Sequence, residues 1–267
     1  MFEALKRFFS HAPVARDLAD ASEWAQRRGY GFRRVKGAVG FVIDGVFEAR
    51  PWRMEWGPSQ RSYIVGHELR LRMENALGSD VQMLLLSRQL MDALERQTFE
   101  EFTDNVQTQI SSKSPEEVRW LVMFQKLSFA TLKPLRSRFG GVASDPVLGL
   151  SWLEGPLSNA LERAANGLLA DDPPFVLMTL RGRGYMRLQM ELPEPNTLSA
   201  ALALFEVAVT QAMRVSGAPT DDPAVWGASA STAWQSLRPD VDTGTHADTG
   251  AGTSTDIGTD DADARKR

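Results

Sequence analysis

The spacing of apolar and polar residues changes period along the chain in a definite order. Leu18, Ala21, Trp24 and Ala25 recur at helical spacing within 16–28, which predicts a helix ending at Gly29. Period two then takes over. Residues 30–36, 38–43 and 46–56 read as strands, with Asp44-Gly45 as a hairpin turn. Over 61–73 the alternation puts Tyr63, Val65, His67, Leu69, Leu71 and Met73 on one face, and Ser62, Glu68, Arg70 and Arg72 with Ile64 on the other.

Helical spacing returns with Leu86, Leu90 and Leu94, followed by Phe99, Phe102, Val106 and Ile110. Ser114-Pro115-Glu116-Glu117 has the form of a capping box, and Trp120 to Phe124 with Leu127, Phe129 and Leu132 predicts a helix buried on all sides. Pro134 and Gly140-Gly141 end it. Asp145-Pro146 opens another helix, broken at Gly155-Pro156 and ending at Gly167. Strands over 175–181 and 185–192 flank Gly182-Arg183-Gly184. Leu198, Leu202, Phe205, Val209 and Met213 mark a last helix beginning at Asn196 or Thr197.

Grouped strands predict an α+β fold with an antiparallel sheet rather than a doubly wound nucleotide fold. The sheet takes three to four N-terminal strands plus a C-terminal hairpin, packed with a central helical block over about 86–167. A single domain is expected over 1–215. The order of helix, three strands, helix, two strands, helix resembles that of small secretion-chaperone-like domains, here with an enlarged helical block. Residues 216–267, low-complexity Thr, Gly, Ala and Asp with nine Asp, predict a disordered tail. Trp226 and Trp234 lie between as docking anchors or a short partner motif.

Composition narrows the chemistry. With 267 residues and 43% apolar content the chain can bury a substantial core, and with no Cys it has no disulfide, thiolate nucleophile or zinc-thiolate site. His11, His67 and His246 are the only histidines. Residues 1–140 carry 21 Lys+Arg against 17 Asp+Glu, and the remainder 9 against 17, so no net basic body exists to coat DNA. The short apolar runs predict no signal peptide and no membrane span, hence a cytoplasmic protein.

Familiar motifs fail on their spacing. His67-Glu68 lacks the second His of a zinc-protease helix, and its strand context predicts a core histidine. Asp248-Thr249-Gly250 lies in the tail, without a sheet to hold it. No metal or cofactor is implied.

Two surfaces remain. Trp52, Met54 and Trp56 alternate against Arg53 and Glu55, which with Glu68, Arg70 and Arg72 form a charged sheet face. That face is either solvated and salt-bridged or a site for a partner peptide or acidic ligand. Residues 27–36 set Arg27, Arg28, Arg33, Arg34 and Lys36 among Tyr30 and Phe32. The segment has the look of a nucleic-acid surface, and equally of a helix end followed by a charge-protected edge strand. The reading is a non-enzymatic, adaptor- or chaperone-like module whose partner is another protein. The alternatives are an enzyme built on Glu55 or Glu68 with Arg53 or Arg70, with or without a divalent metal, and a weak nucleic-acid binder through the segment 27–36, with Arg33 and Arg34 at its centre.

Overall fold

The computed structural model describes residues 18–104 and 114–217. Helix α1 (18–27) leads into β1 (Gly31–Arg34), β2 (Phe41–Phe47), β3 (Arg50–Pro58) and β4 (His67–Glu74). There follow β5 (Met83–Ser87), α2 (Arg88–Asp104), α3 (Glu116–Met123), β6 (Gln125–Lys126), β7 (Phe139–Ala143), α4 (Pro146–Leu153) and α5 (Pro156–Ala165). The hairpin β8 (Phe175–Leu180) and β9 (Arg183–Gln189) runs into α6 (Pro195–Ser216). All nine strands join one antiparallel sheet in the order β1-β2-β3-β4-β9-β8-β5-β7-β6. The class is α+β, as the grouping of the strands predicts.

The sheet is three strands wider than the periodicity suggests, because the stretch read as a helical block contains β5, β6 and β7. Met83, Leu84, Leu85 and Leu86 form β5, fully buried between β8 and β7. A strand covered on both faces needs no alternation and so reads like a buried helix. Gly140-Gly141, taken as a helix stop, lies inside β7. There a Cβ on Gly141 would stand 2.6 Å from the Leu84 carbonyl oxygen, so the glycine is what lets β7 approach β5. Leu127, Phe129 and Leu132 are buried, but on irregular chain beyond the end of α3.

The first hairpin also turns later than Asp44-Gly45 suggests. β2 runs through both residues and the chain reverses at Glu48-Ala49, each with positive φ (46° and 61°). Gly45 serves packing instead: a Cβ there would fall 2.3 Å from the Trp52 ring, so the indole lies over the bare backbone. Across this hairpin Pro51 faces Val46, a pair that exchanges no hydrogen bonds, so the missing N–H of proline takes no bond from the β2–β3 ladder.

One face of the sheet carries Phe41, Ile43, Trp52, Met54, Trp56, Leu69, Leu71, Met73, Met186 and Leu188 into a core with α1, α4, α5 and α6. Three indole N–H groups fasten the layers: Trp24 donates to Ser199 Oγ (2.8 Å), Trp56 to the Met190 carbonyl (2.8 Å) and Trp152 to the Ala208 carbonyl (2.9 Å). Each contributes about 1 kcal/mol net, and more would be lost if the carbonyl were left buried and unpaired. Helix α6 starts one or two residues earlier than expected and ends at Gly217, whose φ of 65° forms the left-handed cap. By length and hydropathy α6 could cross a bilayer, which contrasts with the expectation of no span. Ten of its 22 residues are instead buried against the sheet and the neighbouring helices.

The tail expected over 216–267 lies outside the described residues apart from Ser216 and Gly217, as do Trp226, Trp234, Val106 and Ile110.

Candidate functional site

The face opposite the tryptophans is where strand register gathers the charged residues. Arg53 stands opposite Arg72 and Glu55 opposite Arg70, and on the next strand Arg187 stands opposite Arg70. Period-two alternation places these side chains together, and Glu68, two residues from Arg70, joins them. The face then divides into two halves with different physics.

The half over β4 and β9 is buried, which corrects the picture of a solvated charged surface. Glu68 is 0% exposed, Arg70 4%, Arg187 1% and Glu117 1%. Glu68 Oε1 accepts from Arg70 Nη1 at 2.8 Å and Arg187 Nη1 at 2.6 Å, while Arg70 Nε reaches Glu55 Oε2 at 3.3 Å and its Nη1 the Pro58 carbonyl at 3.3 Å. The lid over them comes from the segment between β3 and β4 and from α3. Glu117 of α3 accepts from Arg61 Nε at 2.6 Å and from the Tyr63 hydroxyl.

Arg61, Arg70 and Arg187 balance Glu55, Glu68 and Glu117 in formal charge, in two hydrogen-bonded groups centred on Glu68 and on Glu117. A buried charge is tolerated only when it is paired and hydrogen-bonded in this way. Burial alone would raise the Glu117 carboxyl, but the Arg61 charge and the hydrogen bonds from Arg61 and Tyr63 hold it below the usual range. Burial, then the Glu117 charge, pushes Tyr63 well up, so the phenol keeps the proton it donates. Burial and the neighbouring Arg61 charge pull Arg187 down.

Sequence reading missed Arg61, Tyr63, Glu117 and Arg187. Alternation places Tyr63 on a strand and the Ser-Pro-Glu-Glu pattern places Glu117 in a capping box, whereas β4 begins only at His67. Residue 115 is the cap of α3, with no side-chain cap hydrogen bond. His67 is only partly buried: its ring stacks on Trp56 at 4.6 Å, and Nδ1 lies 3.5 Å from a Glu191 carboxylate oxygen.

The half over β1–β3 is open. Asp44 bridges Arg33 Nη2 and Arg53 Nε, each at 2.6 Å, with side-chain exposures of 50% for Arg33 and 35% for Arg53. Arg72 stands beside Arg53 without an ion pair of its own among the described residues. Arg34 does not belong to this group. It registers with core-facing Phe41, so its side chain lies on the other face of the sheet edge, away from Arg33. Arg27 pairs with Glu23 at 2.6 Å and Arg28 lies over the Trp24 ring at 5.0 Å, so the basic segment 27–36 does not form one continuous cationic surface.

Two of the surface grooves among the described residues lie near charged side chains. One, about 450 Å³, is lined by Arg28, Tyr30, Asp44, Val46 and Pro51. The other, about 280 Å³, is lined by Arg88, Ser128, Phe129 and Arg136. Neither of these two is lined by Glu55, Glu68, Arg53 or Arg70, the residues of the enzyme alternative. Among the described residues no three His, Asp or Glu side chains come together as a metal-ligand set.

These features define an α+β protein with a wide antiparallel sheet and a half-buried, half-open charged face. No family model and no curated protein matches the chain. Among solved structures it is similar to the crystal structure of the mycobacterial trehalose monomycolate transport factor A, TtfA, with a TM-score of 0.45 and 6% identity over 74% of this chain and 95% of that one.

Proposed function

We propose that the protein is a non-enzymatic binding module that holds an acidic surface of another protein on the open half of its charged face. The observation that carries this reading is Arg53 directly opposite Arg72, beside Arg33, with Asp44 as the one carboxylate bridging Arg33 and Arg53. Like charges placed directly across two strands are destabilising, typically by a few tenths of a kcal/mol. Such a pair is accounted for by an external anion that spans both guanidinium groups. Arginine is also a residue that protein interfaces favour. The paired buried groups next to it give the open half a fixed floor.

The variant Arg72→Glu separates binding from folding, because it puts opposite charges in register with Arg53. Its thermal midpoint should equal or exceed that of the parent chain, while affinity for a fluorescein-labelled Asp/Glu-rich peptide, measured by anisotropy, should fall about ten-fold or more. Affinity in the parent chain should also weaken between about 50 mM and 300 mM salt. Undiminished binding by Arg72→Glu sinks the proposal.

A further inference from the structure

The sheet finishes differently at its two ends. At the β7 end the short β6 pairs with Val142 and Ala143, the Leu127 amide donates to the Gly141 carbonyl at 2.9 Å, and Arg88 Nη2 donates to the Phe139 carbonyl at 2.7 Å. Those outward backbone groups are covered.

At the other end β1 is bare. The Val35 amide donates to the Gly40 carbonyl, and the β1–β2 register makes Arg33↔Val42 and Gly31↔Asp44 the other hydrogen-bonded pairs. The N–H and C=O of Phe32 and Arg34 therefore point away from β2, and no strand meets them among the described residues. Gly31, Arg33 and Arg34 are exposed. Edges are commonly blunted by proline, bulges or charge. Here there is neither proline nor a bulge in β1, and the protection is cationic.

We infer that β1 is a strand-addition site for an extended acidic segment of the partner protein. This deepens the reading of the open arginine face, on which it rests, by naming how the acidic partner is held. Charge complementarity selects the occupant. Residues 27–36 hold five cations and no acid, and Arg34 and Lys36, at and just beyond the edge strand, are exposed and have no ion pair among the described residues. A second copy would set the Arg33-Arg34 pair of one β1 against that of the other, which disfavours edge-to-edge dimers. Residues 1–17 carry Lys6, Arg7 and Arg16 against Glu3 and Asp17 and so lack the required charge. In strand addition the backbone bonds supply affinity and alternate side chains supply selection. An acidic residue at every second position would meet Arg33 on the open face.

The test uses the full chain and a synthetic peptide of alternating Glu and Val, followed by amide hydrogen exchange resolved by residue. In the free chain the Phe32 and Arg34 amides should exchange quickly and the Arg33 amide slowly. With peptide bound, Phe32 and Arg34 should slow about ten-fold or more. Arg33→Glu, on the open face, should weaken binding about ten-fold, and N-methylating alternate peptide residues on the pairing edge should abolish it. Four results overturn the inference: Phe32 and Arg34 amides already slow in the free chain, peptide that fails to bind, N-methylated peptide that binds as well, or binding that leaves both amides fast. If in the last case Arg72→Glu still abolishes binding, the arginine face holds its acidic partner and only the strand mode fails.

Discussion

Removing the Glu117 carboxylate tests whether Arg61, Tyr63 and Glu117 form a paired network that covers the charged face. In Glu117→Ala, Arg61 and Tyr63 lose their shared acceptor, and Arg61, with its side chain 11% exposed, is left without its counter-charge. Breaking a buried pair from one side costs about 3–5 kcal/mol, well above the roughly 0–1 kcal/mol of an exposed pair. For a chain of this length that corresponds to a fall of roughly 10 °C in thermal midpoint. Urea unfolding at neutral pH gives the magnitude directly.

The pH dependence supplies a second arm. Because the folded Glu117 carboxyl titrates below its ordinary value of 4.5, it binds a proton less readily when folded than when unfolded. Its contribution is therefore complete above about pH 4.5 and drains away as pH falls through the lower folded value. The parent chain should lose stability over that acid window more steeply than Glu117→Ala. A loss under about 1 kcal/mol at neutral pH, or parallel acid profiles for the two proteins, would refute the network.

Three packing changes probe the frame. Gly141→Ala must push β7 off β5, since its Cβ would lie 2.6 Å from a backbone oxygen that cannot yield; a loss of about 1–3 kcal/mol in denaturant unfolding is expected. Gly45→Ala drives a methyl into the Trp52 ring, and the same range should appear with an altered near-ultraviolet circular dichroism spectrum; an unchanged spectrum argues against the packing described. Trp56→Phe keeps the apolar bulk but leaves the buried Met190 carbonyl unpaired, a loss of about 1–3 kcal/mol by thermal or urea unfolding.

Where one side of an element meets water, the sequence shows it. The alternation of Trp52, Met54 and Trp56 against Arg53 and Glu55 marks β3, and the glycine-centred turn at 181–182 marks the last hairpin. The signal fades where both sides are covered. Leu84 and Leu86 are buried outside the main core that takes Met83 and Leu85, so β5 is covered on both faces and has no polar phase to betray its period. Gly45 and Gly141 mislead for a related reason: glycine appears both where backbone must turn and where backbone must approach, and only the partner atom distinguishes the two.

The charged face shows the same limit at the level of function. Alternation places Arg53, Glu55, Glu68, Arg70 and Arg72 on one side of two strands, and the register brings them together. Whether each charge is a structural pair or an accessible group is decided by what lies above it, and that cover comes from Arg61, Tyr63 and Glu117, distant in sequence from β3 or borne on irregular chain. Where the cover exists, every carboxylate is matched by a guanidinium, because an unmatched charge there would cost several kcal/mol. Where it stops, Arg53 and Arg72 stand side by side, which water and salt can tolerate and a buried site cannot. The imbalance at the edge of the lid is the feature on which the proposed contact with an external anion rests.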